Sequence, residues 1–339
     1  MDVNPSNGVA DYLDMTDDAP VVNLTSGAII DTDDGTIEDG DGATIDVPDF
    51  ELPAPVDGVP LRVFAVKSIS MSDTLIRGVP AAVIVSDGDI AIHGHVRVQA
   101  GEVTEGPCVG QMPTCMGFVC GGVGGGGFGT RGGAGGGALA GPCAGEGGQG
   151  GSSSGNAAMV PLRGGCRGVS GGRGGGAIQL VSRTRVLIED GAAEASLDAG
   201  GRPGAQNGPG ASGGGILLEA PHVTIVSGAG LVANGSGGGA GRPCTDWVGA
   251  GDGTLTNDRA PGGTCSVSGE PEGGAGGARI GGPSDGGSAE GKLGCNSISI
   301  GGGGGGGAGR IRVNVPTGLD FSQEGVVSPA ATVGPLTTR

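Results

Sequence analysis

The sequence predicts an all-β protein, and within that class a short right-handed single-stranded parallel β-helix with glycine-rich, disulfide-tied loop insertions. Three observations carry the prediction. Residues 174–241 state one pattern twice, GGGAIQLVSRTRVLIEDGAAEASLDAGG and then GGGILLEAPHVTIVSGAGLVANGSGGGAG. In each copy apolar residues stand two apart: Ile178/Leu180, Val186/Ile188 and Ala195/Leu197, then Ile216/Leu218, Val223/Ile225 and Leu231/Ala233. That is the period of a half-buried strand. Finally, a unit of three short strands cannot bury its apolar face alone, so it must stack on units of its own kind. Strands repeating in the same order imply parallel stacking, for which the crossover is right-handed. Hairpin sandwiches would need regular two-residue Asn-Gly or Asp-Gly turns, and the turns here lack them.

Residues 1–60 are an acidic N-terminal segment or cap. They hold 13 Asp, two Glu and no Lys or Arg, so nearly all of the net charge of −17 lies there. The strand pattern runs over 61–335. It begins with Phe64/Val66, Ile69/Met71 and Leu75, and continues with Val83/Val85, Ile90/Ile92 and Val96/Val98. After the doubled stretch it ends in a degenerate turn with Ile311/Val313, Leu319/Phe321 and Val326. About five turns result, with atypical ends because a terminal repeat must meet water.

Two long insertions, at about 101–173 and 235–309, and a shorter glycine-rich excursion between them each follow the third strand of a turn. They are expected to leave one corner of the stack and form a side lobe. The 83 glycines, about a quarter of the chain against roughly 7% usually, concentrate there. They show no Gly-X-Y period, which excludes collagen. Two arrangements are open for these runs: extended polyglycine helices of about three residues per turn, hydrogen-bonded side by side, or mobile loops.

Cys108, Cys115, Cys120, Cys143 and Cys166 lie in the first insertion and Cys244, Cys265 and Cys295 in the second. An even number of cysteines without CxxC pairs or a histidine cluster reads as a disulfide framework from an oxidising compartment. Five and three are both odd, so full oxidation requires at least one bridge between the insertions. Such a bridge is worth on the order of 3–5 kcal/mol in the chain-entropy model. No charged-then-apolar leader opens the chain, so an exported protein here would be the mature form. No apolar run is long enough to span a membrane, and the scarcity of basic residues excludes nucleic acid as a partner.

Few residues suggest chemistry. Asp31, Asp33, Asp34, Asp39 and Asp41 on glycine-containing turns form a candidate calcium set, although the EF-hand order of ligands is not met. No other cofactor is implied. His93 and His95 point to one side of a strand, outward, with no ligand cluster to complete a metal site; His222 sits in a turn. The acids Asp87, Asp89, Glu189, Asp190 and Glu219 show no recurring partner of the kind a polysaccharide-cleaving groove needs. With one Trp, one Tyr and five Phe, a stacking platform for sugars is absent.

The ordered run AVIVSDGDIAIHG, GGGAIQLVS, GGGILLEAPHVTIVSGAGLVANG, GGGGAGRIRVN and VVSPAA resembles glycine-rich exported proteins of myxobacteria and their relatives, over roughly 60–335. It is more loosely similar to phage tail-tip adhesins with polyglycine sandwiches, which lack the disulfides. The resemblance implies a secreted or outer-surface location and supplies no catalytic residues. The expected function is a non-enzymatic structural or adhesive protein of the cell surface or extracellular matrix. Its partners would be other surface proteins, extracellular polysaccharide or copies of itself. Two alternatives are a polysaccharide-binding or polysaccharide-cleaving protein and a calcium-dependent assembly or filament-forming module.

Overall fold

The computed structural model describes residues 2–338 except 141–142, 170–171, 190–193, 207, 243, 245, 267–270, 279, 285–288 and 292–298. The chain is all-β: a 3-10 helix, Ala10–Met15, is the helical element among the described residues.

Five times the chain runs through three strands in the same order. The cycles are Leu61–Val66, Ser68–Met71, Thr74–Arg77; Ala81–Ser86, Ile90–Ile92, His95–Val98; Ala177–Ser182, Arg185–Ile188, Ser196–Asp198; Gly215–Glu219, His222–Ile225, Gly230–Val232; and Arg310–Val315, Phe321–Gln323, Val326–Ser328. The first strand of every cycle joins a seven-stranded sheet, the second a six-stranded sheet and the third an eight-stranded sheet. Within each sheet the strands of successive cycles pair in parallel, as in Ile84↔Leu180, Leu180↔Leu218 and Leu218↔Val313. Long insertions do not interrupt this register. Ala81–Ser86 pairs directly with Ala177–Ser182 although some ninety residues separate them.

The inward side chains form one core, which includes Phe64, Met71, Ile84, Ile92, Leu180, Ile188, Leu218, Ile225 and Val313. All twelve apolar residues named in the doubled stretch belong to it. In three strands the expected positions are shifted by one residue. Ala82 and Ile84 face the core in place of Val83 and Val85, Ile76 in place of Leu75, and Val327 in place of Val326. The cause is plain in the first case: every residue of Ala81–Ser86 is buried, so the strand is apolar on both faces and its alternation is hidden. The connection from Ala82 to Ile90 is one residue longer than from Ile216 to Val223, which the register reveals and spacing alone does not.

A second apolar cluster covers the outer face of the seven-stranded sheet. It joins Val63, Val83, Val85, Val181 and Leu217 to Val3, Val9 and Leu13, and to Met159 and Leu162 of the first insertion. The acidic segment is therefore in part a packed cover, with its apolar residues inward. It also supplies strands: Val21–Leu24 and Ala28–Asp31 extend the second and third sheets in parallel, and Asp49–Leu52 pairs antiparallel with Leu61–Val66. Fully buried Glu219 accepts hydrogen bonds from Gln179 Nε2 (2.6 Å), Asn314 Nδ2 (2.8 Å) and Ser6 Oγ (2.8 Å) and N–H (3.0 Å). This ladder of three adjacent strands fixes where residues 6–7 dock.

Candidate functional site: the glycine lobe and the polar faces

All three excursions leave after a strand of the eight-stranded sheet and return to the seven-stranded one: 99–176, 199–214 and 233–309. Their glycine runs meet around residues 301–309, which are all buried. The N–H groups of Gly301, Gly304 and Gly307 donate to the carbonyls of Cys120, Val123 and Gly126 at 3.1, 2.9 and 2.8 Å. Those of Gly303, Gly306 and Gly309 donate to Gly239, Ser236 and Ala233. In return the segment accepts from Gly133 and Gly136, from Gly210 and Gly213, and from Gly274 and Gly277. One extended segment is thus hydrogen-bonded to five others, and each neighbour is reached by every third residue. Backbone groups buried without side chains must be paired in this way or lose their hydration uncompensated.

Close approach is what requires glycine. A Cβ added at Gly122, Gly125, Gly304 or Gly305 would fall within 3.0 Å of a neighbouring segment's backbone, nearer than real Cβ contacts occur. Of the two arrangements open for the runs, the described ones take the paired arrangement.

Cys108 pairs with Cys166, Cys115 with Cys120 and Cys244 with Cys265. All three bridges close within one insertion. The bridge expected between insertions falls on the side chains of Cys143 and Cys295, which lie outside the described residues. Between excursions the described links are polar: Ser212 Oγ accepts from the Cys166 N–H at 2.8 Å, and Arg202 joins Asp198 to Asp252.

On the outer faces of the stack, parallel register brings together charges far apart in sequence. Asp89 meets Arg185 at 2.8 Å, Asp87 meets Lys67 at 2.6 Å and Glu189 lies 3.3 Å from His93. These partners of Asp87, Asp89 and Glu189, which the sequence does not display, sit one strand away rather than nearby in the chain. Asp190 lies outside the described residues. His222 is exposed at the start of its strand, lining an open groove with Arg185 and Leu319.

His95 has the richest surroundings. Its Nδ1 is 2.6 Å from Ser196 Oγ and its Nε2 3.6 Å from the buried Asp198 carboxylate. Burial holds the His95 pKa below 6.5 against the opposing pull of Asp198, and burial raises Asp198 above 3.8 against Arg202. Ser, His and Asp in contact invite comparison with a hydrolase triad. Ser196, however, is 1% exposed, so its hydroxyl offers no approach to a substrate; the trio ties neighbouring cycles together.

The candidate calcium residues are engaged separately. Asp31 pairs with Arg77 at 2.8 Å and accepts the Asp33 N–H. Asp33 accepts the Val79 N–H, and Asp39 accepts the Thr25 N–H and hydroxyl at 2.8 and 2.7 Å. Asp34 and Asp41 are not drawn into a common site, and among the described residues no group of three or more His, Cys, Asp or Glu is placed to hold a metal. No described helix is long and apolar enough to cross a membrane. In comparison with known proteins, no family model, curated protein or solved structure matches the chain.

Proposed function

We propose that this is an exported, non-enzymatic structural or adhesive protein of the cell surface or extracellular matrix. In this reading the rotation of the chain through three sheets is a right-handed single-stranded parallel β-helix, and the lobe it carries is a polyglycine II bundle. The observation that carries it is segment 301–309, bonded to five neighbours through every third residue. A body assembled from buried backbone presents few side chains for chemistry and derives rigidity from its backbone hydrogen bonds. Three disulfides within the lobe support an oxidising compartment, as does the resemblance to glycine-rich exported surface proteins.

The test has two parts. Fluorescently labelled protein added to producing cells should stay on the surface or matrix after washing. Incubation with a panel of soluble and insoluble polysaccharides should release neither reducing ends nor unsaturated products. Products released at a rate that follows protein concentration would replace this reading with the enzymatic one.

A further inference from the structure

We propose that the cleft between the glycine lobe and the last cycle of strands binds a small organic carboxylate through Arg310, a role independent of the structural or adhesive reading. The cleft has a volume of about 230 Å³, and Gly129, Thr130, Ala157, Ala308, Arg310 and Thr332 are among its lining residues.

Arg310, like Arg163, is partly buried without an ion pair among the described residues, but Asp57 offsets the burial of Arg163 and no described acid does so for Arg310. The well-buried Arg62, Arg183 and Arg202 each face two or more carboxylates, as suits a chain of net charge −17. The Nε and Nη2 of Arg310 donate to the Ser154 carbonyl at 3.3 and 3.1 Å, and its guanidinium lies 5.7 Å over the Phe128 ring. Those contacts fix the plane of the group and leave Nη1 without an acceptor among the described residues. Burial pushes its pKa down, and no acid among the described residues offsets it. Even so lowered, an arginine keeps its charge at neutral pH, so the cleft holds a cation that no described acid compensates.

The remaining groups define what fits. Thr130 Oγ1 accepts the Ala308 N–H at 2.9 Å, leaving its own proton to donate. Among the described residues no Asp or Glu lines the cleft, and its walls are mainly glycine, alanine, proline and isoleucine. A planar fork beside a hydroxyl donor matches a carboxylate. Small walls limit the ligand to a few heavy atoms or one sugar ring. The negative charge of the protein disfavours a dianion such as phosphate.

Titration calorimetry on the full chain, with acetate and glucuronate as probes, tests this. Methyl glucoside serves as the neutral control, and inorganic phosphate and sulfate as alternative anions. Both carboxylates should bind, methyl glucoside should not, and Arg310→Gln should weaken binding roughly ten- to hundred-fold, the loss of a charged hydrogen bond. Arg310→Lys, which keeps the charge without the fork, should fall between. Ala330→Phe, at an exposed position on the cleft, leaves Arg310 in place and should block binding, so the proposal stays testable if Arg310→Gln does not fold. Absence of carboxylate binding, binding of phosphate or sulfate only, equal binding of the neutral sugar, or unchanged affinity in a folded Arg310→Gln or in Ala330→Phe would each overturn it.

Discussion

Replacing Gly125 by alanine probes close backbone packing in the glycine lobe. A methyl group there meets Gly305 O, Gly305 C and Gly304 O, all within 3.0 Å. These are backbone atoms held in place by bonds of their own, so segment 121–127 must move away from 301–309. Three hydrogen bonds join the two segments, Gly301 to Cys120, Gly304 to Val123 and Gly307 to Gly126. At about 1 kcal/mol net each, opening them costs about 3 kcal/mol. Alanine also stiffens the unfolded chain, which returns roughly 0.4–1 kcal/mol, so the net destabilisation is about 2–3 kcal/mol. Gly282→Ala is the matched control: nothing lies within 4 Å of its added Cβ, and the substitution should be neutral or slightly stabilising. Urea titrations followed by circular dichroism, disulfides intact, should separate the two midpoints at constant slope. Coincident midpoints would refute close packing of glycine segments as the source of the lobe's stability.

Four further outcomes follow from the same geometry. Because burial lowers the pKa of His95 below 6.5, the unfolded chain takes up that proton first, and stability should decline as pH falls from 6.5. Asp198, raised above 3.8, works in the opposite sense, whereas the lowered Asp31, Asp73 and Asp87 lose their contribution as pH falls below 3.8 through their folded values. Melting curves against pH should lose the upper stage in His95→Asn, and superimposable profiles would count against this account. With the other six cysteines paired within their insertions, non-reducing peptide mapping should yield a peptide joining Cys143 to Cys295; free thiols at both would refute the parity argument. Glu219→Gln sets an amide against four donors and should cost roughly 1.5–3 kcal/mol, read as faster proteolytic nicking of residues 1–16. Since Asp31, Asp33 and Asp39 are already engaged by protein donors, EDTA should leave the melting temperature unchanged, and a drop restored by calcium would revive the metal-dependent alternative.

The strands were legible because one face of most of them meets the core and the other meets water, as in Arg185–Ile188, with Val186 and Ile188 inward and Arg185 outward. Where the outer face is also covered, as in Ala81–Ser86, alternation disappears and spacing alone places the register one residue off. The cover itself was hidden for a related reason: Val3, Val9 and Leu13 sit among so many aspartates that charge dominates the local composition. The pairing of Asp89 with Arg185 spans 96 residues and follows only from the parallel register. Arg310 carries no signal in the sequence, since its significance is that no described acid lies near it in space.

The order of the segments along the chain bears on how stack and lobe depend on each other. Segment 301–309 is the last glycine run in sequence, yet it is bonded to five others, and it leads directly into Arg310–Val315, the first strand of the closing cycle. Until that segment arrives, carbonyls of 120–126 and 233–239 lack their donors. Its arrival also brings Ile311 and Val313 onto Ile216 and Leu218 to extend the core. Backbone pairing in the lobe and apolar burial in the stack are therefore completed by one continuous stretch, and neither is complete without the other. The lobe is in this sense no appendage: the glycine bonds fix the entry point of the closing cycle, and the strand register fixes the glycine segments at a spacing that only glycine allows.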